Sequence, residues 1–179
     1  YQGVNYIHER AISTQQTGFS FIAQCRGKYP APIGGILWFG VDDSYTSVYM
    51  PMFCGITKIP HYVSVGNGNM MTYSPTAAFW LFNQVSNFAY TRYKDMILDI
   101  LPVQEELENN FIQLVEQQSE KFAKEYNANK EAGINAINNF SGTAAATTFT
   151  RWKDLYHFLL VKYIDGNIKK EENGKFLNN

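Results

Sequence analysis

Two aromatic, β-prone runs on either side of an Asp-Asp-Ser turn constrain this chain more than any other feature. Both lie in residues 30–60, PAPIGGILWFGVDDSYTSVYMPMFCGITKIP. The first run, 36–41, is almost wholly apolar and follows Gly34-Gly35. The second, 45–53, mixes Thr, Val and Tyr and meets a late breaker at Pro51. Both suit strands buried in a layered sheet, joined as a hairpin. The turn sets Asp42 and Asp43 at a strand end, where binding residues often sit and where no packing force asks for two acids. Asp and Ser are also ordinary turn residues, so a plain hairpin turn accounts for the same letters.

Around this hairpin the chain divides into a β-rich first part and an α-rich second part, with the change near Tyr73 and no internal repeat. Strands are predicted at 19–26, 35–41 and 45–53, with a weaker extended piece at 62–65. The loop 65–72 carries Gly66 and Gly68, and its GNGN is too short for a phosphate cradle. At Ser74 a Ser-Pro pair offers a cap and a first-turn proline, predicting a helix to about Leu101. On it Phe79, Phe82 and Ala89 share a face with Tyr93, while Trp80, Asn83 and Asn87 share another. Amides both donate and accept, so Asn83 and Asn87 beneath Trp80 are candidates for a polar pocket wall; bonding to nearby backbone or to water is the plainer reading.

Pro102 is expected to break this helix and open a second, with Val103, Leu107, Phe111, Leu114 and Phe122 as its apolar stripe. Glu105, Glu106, Glu108, Glu116 and Glu120 form its solvated face. A third helix is predicted over 130–140. A fourth follows Ser141-Gly142, carries Phe149, Trp152, Tyr156, Leu159 and Tyr163 inward, and stops at Asp165-Gly166. The Lys-, Glu- and Asn-rich tail from Asn167 should be exposed. Asn139-Phe140-Ser141 matches a glycosylation sequon, a triplet common by chance. The outcome is an α+β chain of one domain over 1–179: strands and loops in 1–73, helices in 74–166, a tail in 167–179.

Composition narrows the function. A formal net charge of −1 gives no electrostatic case for nucleic acid or an anionic membrane, and the apolar runs are far short of a span. High aromatic content argues for order. The 2 cysteines, Cys25 and Cys54, do not make a disulfide scaffold and are expected to be buried free thiols. His8, His61 and His157 are scattered, and there is no HxxxH, CxxC or GxSxG, so neither a metal nor a cofactor is predicted. Tyr1 is not a start methionine and shows no signal-peptide character, so the chain is expected to begin in mid-protein, which leaves the compartment undetermined.

Several of these segments carry a family resemblance: Arg10 with the TGFSFIAQCR run, residues 30–60, the helix opening AAFWLFNQVSN, and KYIDG. In order and spacing they resemble the C-terminal portion of a cysteine dipeptidase of the N-terminal-nucleophile hydrolase class, the group that includes secernin-like proteins. The likeness covers roughly residues 10–166. It implies a four-layer αββα sandwich and a processed amino-terminal cysteine. That thiolate would attack the peptide carbonyl, with its own α-amine as base and amides holding the oxyanion. The substrates implied are dipeptides and short peptides, cleaved without a metal. Tyr1 departs from the pattern, and Cys25 and Cys54 do not match the nucleophile position. No catalytic residue is therefore assigned, and the 179 residues alone are expected to be inactive.

Two function classes follow. In the first, the chain is the C-terminal part of such a dipeptidase and partners the missing amino-terminal segment. Asp42, Asp43, Asn83 and Asn87 then form its substrate-binding wall. In the second, the chain is a non-enzymatic binding or structural module with the same fold. Exposed strand edges in a truncated sandwich also predict self-association.

Overall fold

A computed structural model describes residues 2–5 and 11–178; Tyr1, His8 and Arg10 lie outside the described residues. Three strands, β1 (Phe19–Cys25), β2 (Gly35–Val41) and β3 (Met50–Phe53), form an antiparallel sheet in the order β1-β2-β3. A single helical turn, α1 (Ala31–Gly34), opened by proline, joins the first two. Ile22 faces Trp38 and Ile36 faces Phe53 in the register. Strand alternation therefore puts Ile22, Gln24, Ile36, Trp38 and Phe53 on one face, and Phe21, Leu37, Phe39, Met50 and Met52 on the other.

The first two strands match expectation, but the predicted strand 45–53 shrinks to Met50–Phe53. Residues Ser44–Thr46 form a 3-10 turn instead. Local side chains outcompete the ladder here: Asp43 accepts from the Tyr45 N–H, and Ser47 Oγ donates to the Val41 carbonyl at 2.7 Å. The hairpin is real, but its connection is a long loop and not a tight turn. The extended piece expected at 62–65 is likewise replaced by a 3-10 turn, His61–Val63, started by Pro60.

Helix boundaries shift for similar reasons. Ser74 does not cap; its hydroxyl donates to Asn67 Oδ1 at 2.6 Å, and α2 starts later, at Ala78–Thr91. The break then falls at Arg92, whose backbone leaves the helix (φ −152, ψ 53) while its guanidinium donates to the carbonyls of Gly166 and Asn167. The next helix, α3 (Tyr93–Ala128), runs straight through Pro102. Proline denies the Leu98 carbonyl its helical donor, but Leu98 and Pro102 lie on the exposed side, where water can serve that carbonyl.

The third and fourth predicted helices are one, α4 (Lys130–Tyr163), continuous through Ser141-Gly142. The sequon at Asn139 thus sits mid-helix. Asn129 caps α4 through the N–H groups of Glu131 and Ala132. Gly133 lies against Tyr126, where any Cβ would overlap the Tyr126 backbone, so glycine sets how closely α3 and α4 approach. The tail expected to be exposed from Asn167 is exposed from Lys170 to Leu177, while Ile168 packs against the core, and it folds into a hairpin of β4 (Lys169–Glu172) and β5 (Lys175–Asn178). Its turn, Asn173-Gly174, has both φ positive, as such hairpins require.

Most of the predicted stripes are the core. Phe82 stacks on Trp152 at 4.7 Å, Tyr62 on Phe149 at 4.4 Å, and Phe53 meets Phe122 and Phe140 edge-on. Leu107, Phe111, Phe149, Trp152, Leu159 and Tyr163 are buried. The acidic face of α3 has one exception: Glu108 is half-buried and accepts from the Tyr49 N–H at 3.0 Å. Cys25 and Cys54 are free, as expected, but exposed and not buried, because β1 is uncovered and Cys54 follows the last residue of β3. The architecture is α+β, as predicted. No helix among the described residues is long and apolar enough to cross a membrane.

Helix α4 also closes the β3 edge. Ser141 Oγ donates to the Pro51 carbonyl at 2.9 Å and accepts from the Phe53 N–H at 3.3 Å, all within the core. Ser141→Ala leaves both groups buried without partners and is expected to cost about 1–3 kcal/mol in urea unfolding. Unchanged stability would show that the edge is held by packing alone.

Candidate functional site

The predicted acids sit where β2 ends. Asp42 adopts the left-handed region (φ 64), unusual for a residue with a Cβ and most tolerable for Asp or Asn. Its N–H donates to the Gly18 carbonyl at 3.0 Å, extending the β1–β2 ladder by one bond. This backbone turns two successive carboxylates inward, and both are nearly inaccessible, at 0% and 1% exposure.

Helix α2 supplies most of their partners. Asn83 Nδ2 donates to Asp42 Oδ1 at 2.9 Å, and Ser86 Oγ donates to Asp42 Oδ2 at 2.5 Å. One turn further on, the Tyr90 hydroxyl donates to Asp43 Oδ2 at 2.6 Å. The other oxygen of Asp43 accepts from Ser13 Oγ and from the Tyr45 N–H. Residues 83, 86 and 90 follow the helical spacing, so one polar stripe on a largely apolar helix addresses both acids. That stripe was the signal available for Ser86 and Tyr90. Ser13, distant in sequence, offered none.

Three of the four predicted residues, Asp42, Asp43 and Asn83, are brought together. Asn87 is not among them: it is exposed, and its amide donates to the Asn83 carbonyl at 2.9 Å, the backbone bond that was the plainer reading. Trp80 also diverges from Asn83. Its indole N–H donates to the Thr72 carbonyl, and its ring lines a separate cavity of about 350 Å³ with Phe39, Val41 and Tyr62.

The electrostatics are those of acids among neutral donors. Among the described residues no Lys or Arg forms an ion pair with either carboxylate. Burial pushes the Asp42 carboxyl above its ordinary value; the Asn83 and Ser86 hydrogen bonds oppose this, and the neighbouring Asp43 charge adds to it. Tyr90 is pushed up to about 12, by burial first and then by Asp43, so its hydroxyl remains a donor at neutral pH. Tyr93 is raised by burial and by Tyr45 and Asp43.

Outside the acids stands an aromatic rim. Tyr90 stacks on Tyr93 at 5.9 Å, and Tyr45 lies 6.5 Å from Tyr93, all three part-exposed. Buried negative charge behind electron-rich ring faces favours a cation at the rim. Among the described residues no group of His, Cys, Asp and Glu could hold a metal.

Residues 3–106 match the model of a family described as peptidase family C69. The match takes in the whole three-stranded sheet, both acids and all of α2. No curated protein matches the chain.

The raised Asp42 value has a definite sign. A carboxyl raised on folding contributes stability that is full below its unfolded value of 3.8 and is lost as pH rises through the folded value. Asp42→Asn keeps the backbone preference and removes the titration. Thermal melts from about pH 4 to about pH 7 should therefore show the stability difference move in the variant's favour and level off above the folded value. A difference that does not change with pH would mean that Asp42 ionises without penalty.

Proposed function

The chain belongs to peptidase family C69, and from that membership we propose that it is the C-terminal part of a cysteine dipeptidase whose nucleophile lies outside these 179 residues. The family match carries this reading, because it spans the sheet and the helix that frame the buried acids. The nucleophile is an amino-terminal cysteine exposed by processing. Its thiolate attacks the substrate carbonyl, its α-amine takes up the proton, and amide donors hold the oxyanion. The second sheet and helical layer of an αββα sandwich come with that segment. Support for its docking is the face of β1 turned away from Trp38 and α3, where Phe19 and Phe21 are each more than half exposed.

In this reading Asp42 and Asn83 are positioning residues that fix the end of β2 against α2. Asp43 and its tyrosine rim form the wall that receives the substrate's α-ammonium group, with Asn87 at the margin. Selection for short peptides with a free amino terminus follows. A second reading, a module that keeps the fold without the chemistry, is favoured by one observation. The oxygens of Asp42 and Asp43 are already engaged by protein donors, as a purely structural lock would have them.

Two measurements separate the readings. The product of the complete reading frame should hydrolyse dipeptides and lose that activity on thiol alkylation, whereas residues 1–179 alone should be inactive; hydrolysis by the 179 residues alone would sink the proposal. In the complete enzyme Asp43→Asn should raise KM about tenfold while kcat changes by less than about threefold. Unchanged dipeptide kinetics would remove Asp43 from the substrate wall.

A further inference from the structure

A groove on the opposite side of the sheet from the Trp80 cavity has no part in this account. It encloses about 900 Å³ between β1 and α3, a volume usual for ligand sites. Its floor is Ile22 and Trp38 from the sheet and Ile112 and Val115 from α3. Arg26 and Glu108 mark its two ends.

Arg26 is the unusual group. Its Nη1 donates to Ser119 Oγ at 2.5 Å and its Nη2 to the Ile33 carbonyl at 2.6 Å, while its buried Nε has no partner among the described residues. The rings of Tyr29 and Phe53 flank the guanidinium at 5.0 and 5.6 Å. No carboxylate among the described residues pairs with it, and burial lowers its pKa from the ordinary value. A part-buried cation without a counter-charge is a receptor for an anion, carboxylate above all. Lys28 lines the same end and adds positive charge; exposed Glu116 lines it too and subtracts from it.

The wall beside this floor is a strand edge that no other described strand pairs with. Arg26 N–H donates to the Gly34 carbonyl and Asp42 N–H to the Gly18 carbonyl, which places the even-numbered residues of β1 in hydrogen-bonded pairs with β2. Phe19, Phe21, Ala23 and Cys25 therefore turn their N–H and C=O groups outward. Ala23 and Cys25 line the groove although their side chains belong to the other face of the sheet, so the groove wraps around this edge.

We infer that the groove binds a short extended peptide by its free carboxylate, the peptide adding as a fourth strand along β1. The α-carboxylate sits at Arg26, the main chain pairs with Ala23 and Cys25, and apolar side chains rest on Ile22 and Ile112. The amino end points to Glu108, which is half-buried without a basic partner among the described residues. Glu108 and Ser119 are about eleven residues apart on α3, roughly 16 Å at the helical rise, which extended backbone covers in about five residues. The hydroxyls of Ser20 and Tyr49 meet at 3.0 Å, placing the Glu108 end beside the start of β1. The bound peptide accordingly runs parallel to β1. The ligand class rests on membership of a peptidase family; the site itself uses neither Asp42 nor Asp43.

Titration calorimetry with the pentapeptide Ala-Val-Thr-Val-Ala on the unmodified protein tests this directly. The free acid should bind about tenfold more tightly than its C-terminal amide. Arg26→Gln should abolish that difference. Ala23→Pro removes one outward N–H without touching the β1–β2 ladder, and should weaken both forms. Equal binding of acid and amide, or absence of binding by both, overturns the proposal, and neither result depends on a variant folding. Binding as inferred beside a complete enzyme that fails to cleave dipeptides would sink only the catalytic reading; cleavage without binding here would sink only this one.

Discussion

The tie between the end of β2 and helix α2 organises this half of the molecule. Asp42 leaves the strand in a left-handed conformation and puts its carboxylate between Asn83 and Ser86. A charge in such a place costs several kcal/mol of desolvation unless hydrogen bonds answer it, roughly what a well-packed large side chain contributes. Two neutral donors answer it in part, and the raised carboxyl value records the remainder. The arrangement holds because α2 is itself pinned from behind by the Phe82–Trp152 stack onto α4. Strain at the strand end is thus supported by the core, and the core positions the acids.

That dependence explains what was legible in the sequence. The first two strands, the hairpin and the inward residues of α4 followed from periodicity and β-propensity, which report burial. The misplaced boundaries share a different cause. Ser74 reads as a cap but spends its hydroxyl on Asn67; Pro102 reads as a breaker but faces water; Ser141-Gly142 reads as a joint but lies against β3. In each case a partner outside the helix, or its absence, decided the outcome: Asn67 lies seven residues from Ser74, whereas Pro51 and Phe53 lie about ninety from Ser141, and periodicity reports neither.

The candidate site divides along the same line. Asp42 and Asp43 were conspicuous as surplus acids in a turn, and Asn83 as an amide at helical spacing. Ser86 and Tyr90 share the Asn83 stripe and could have been added to it. Asn87 was drawn in by its spacing from Asn83, yet that bond is spent on backbone within the helix. Ser13 could only be found by folding the chain. Arg26 was overlooked for a further reason: one arginine after a strand is unremarkable until its partial burial, and the lack of an ion pair among the described residues, are seen.

The two edges of the sheet are treated in opposite ways. At β3 a serine hydroxyl from α4 takes the place of a neighbouring strand, and all four strand residues are buried. At β1 nothing comparable is present among the described residues, and apolar side chains are exposed on both faces. A three-stranded sheet closed on one side has one direction in which to grow, so an added strand meets this fold along β1. Arg26 stands at the end of that edge, which gives it a polarity: a strand that ends in a carboxylate is favoured there, and one that continues past it must carry the desolvation of the guanidinium by other means.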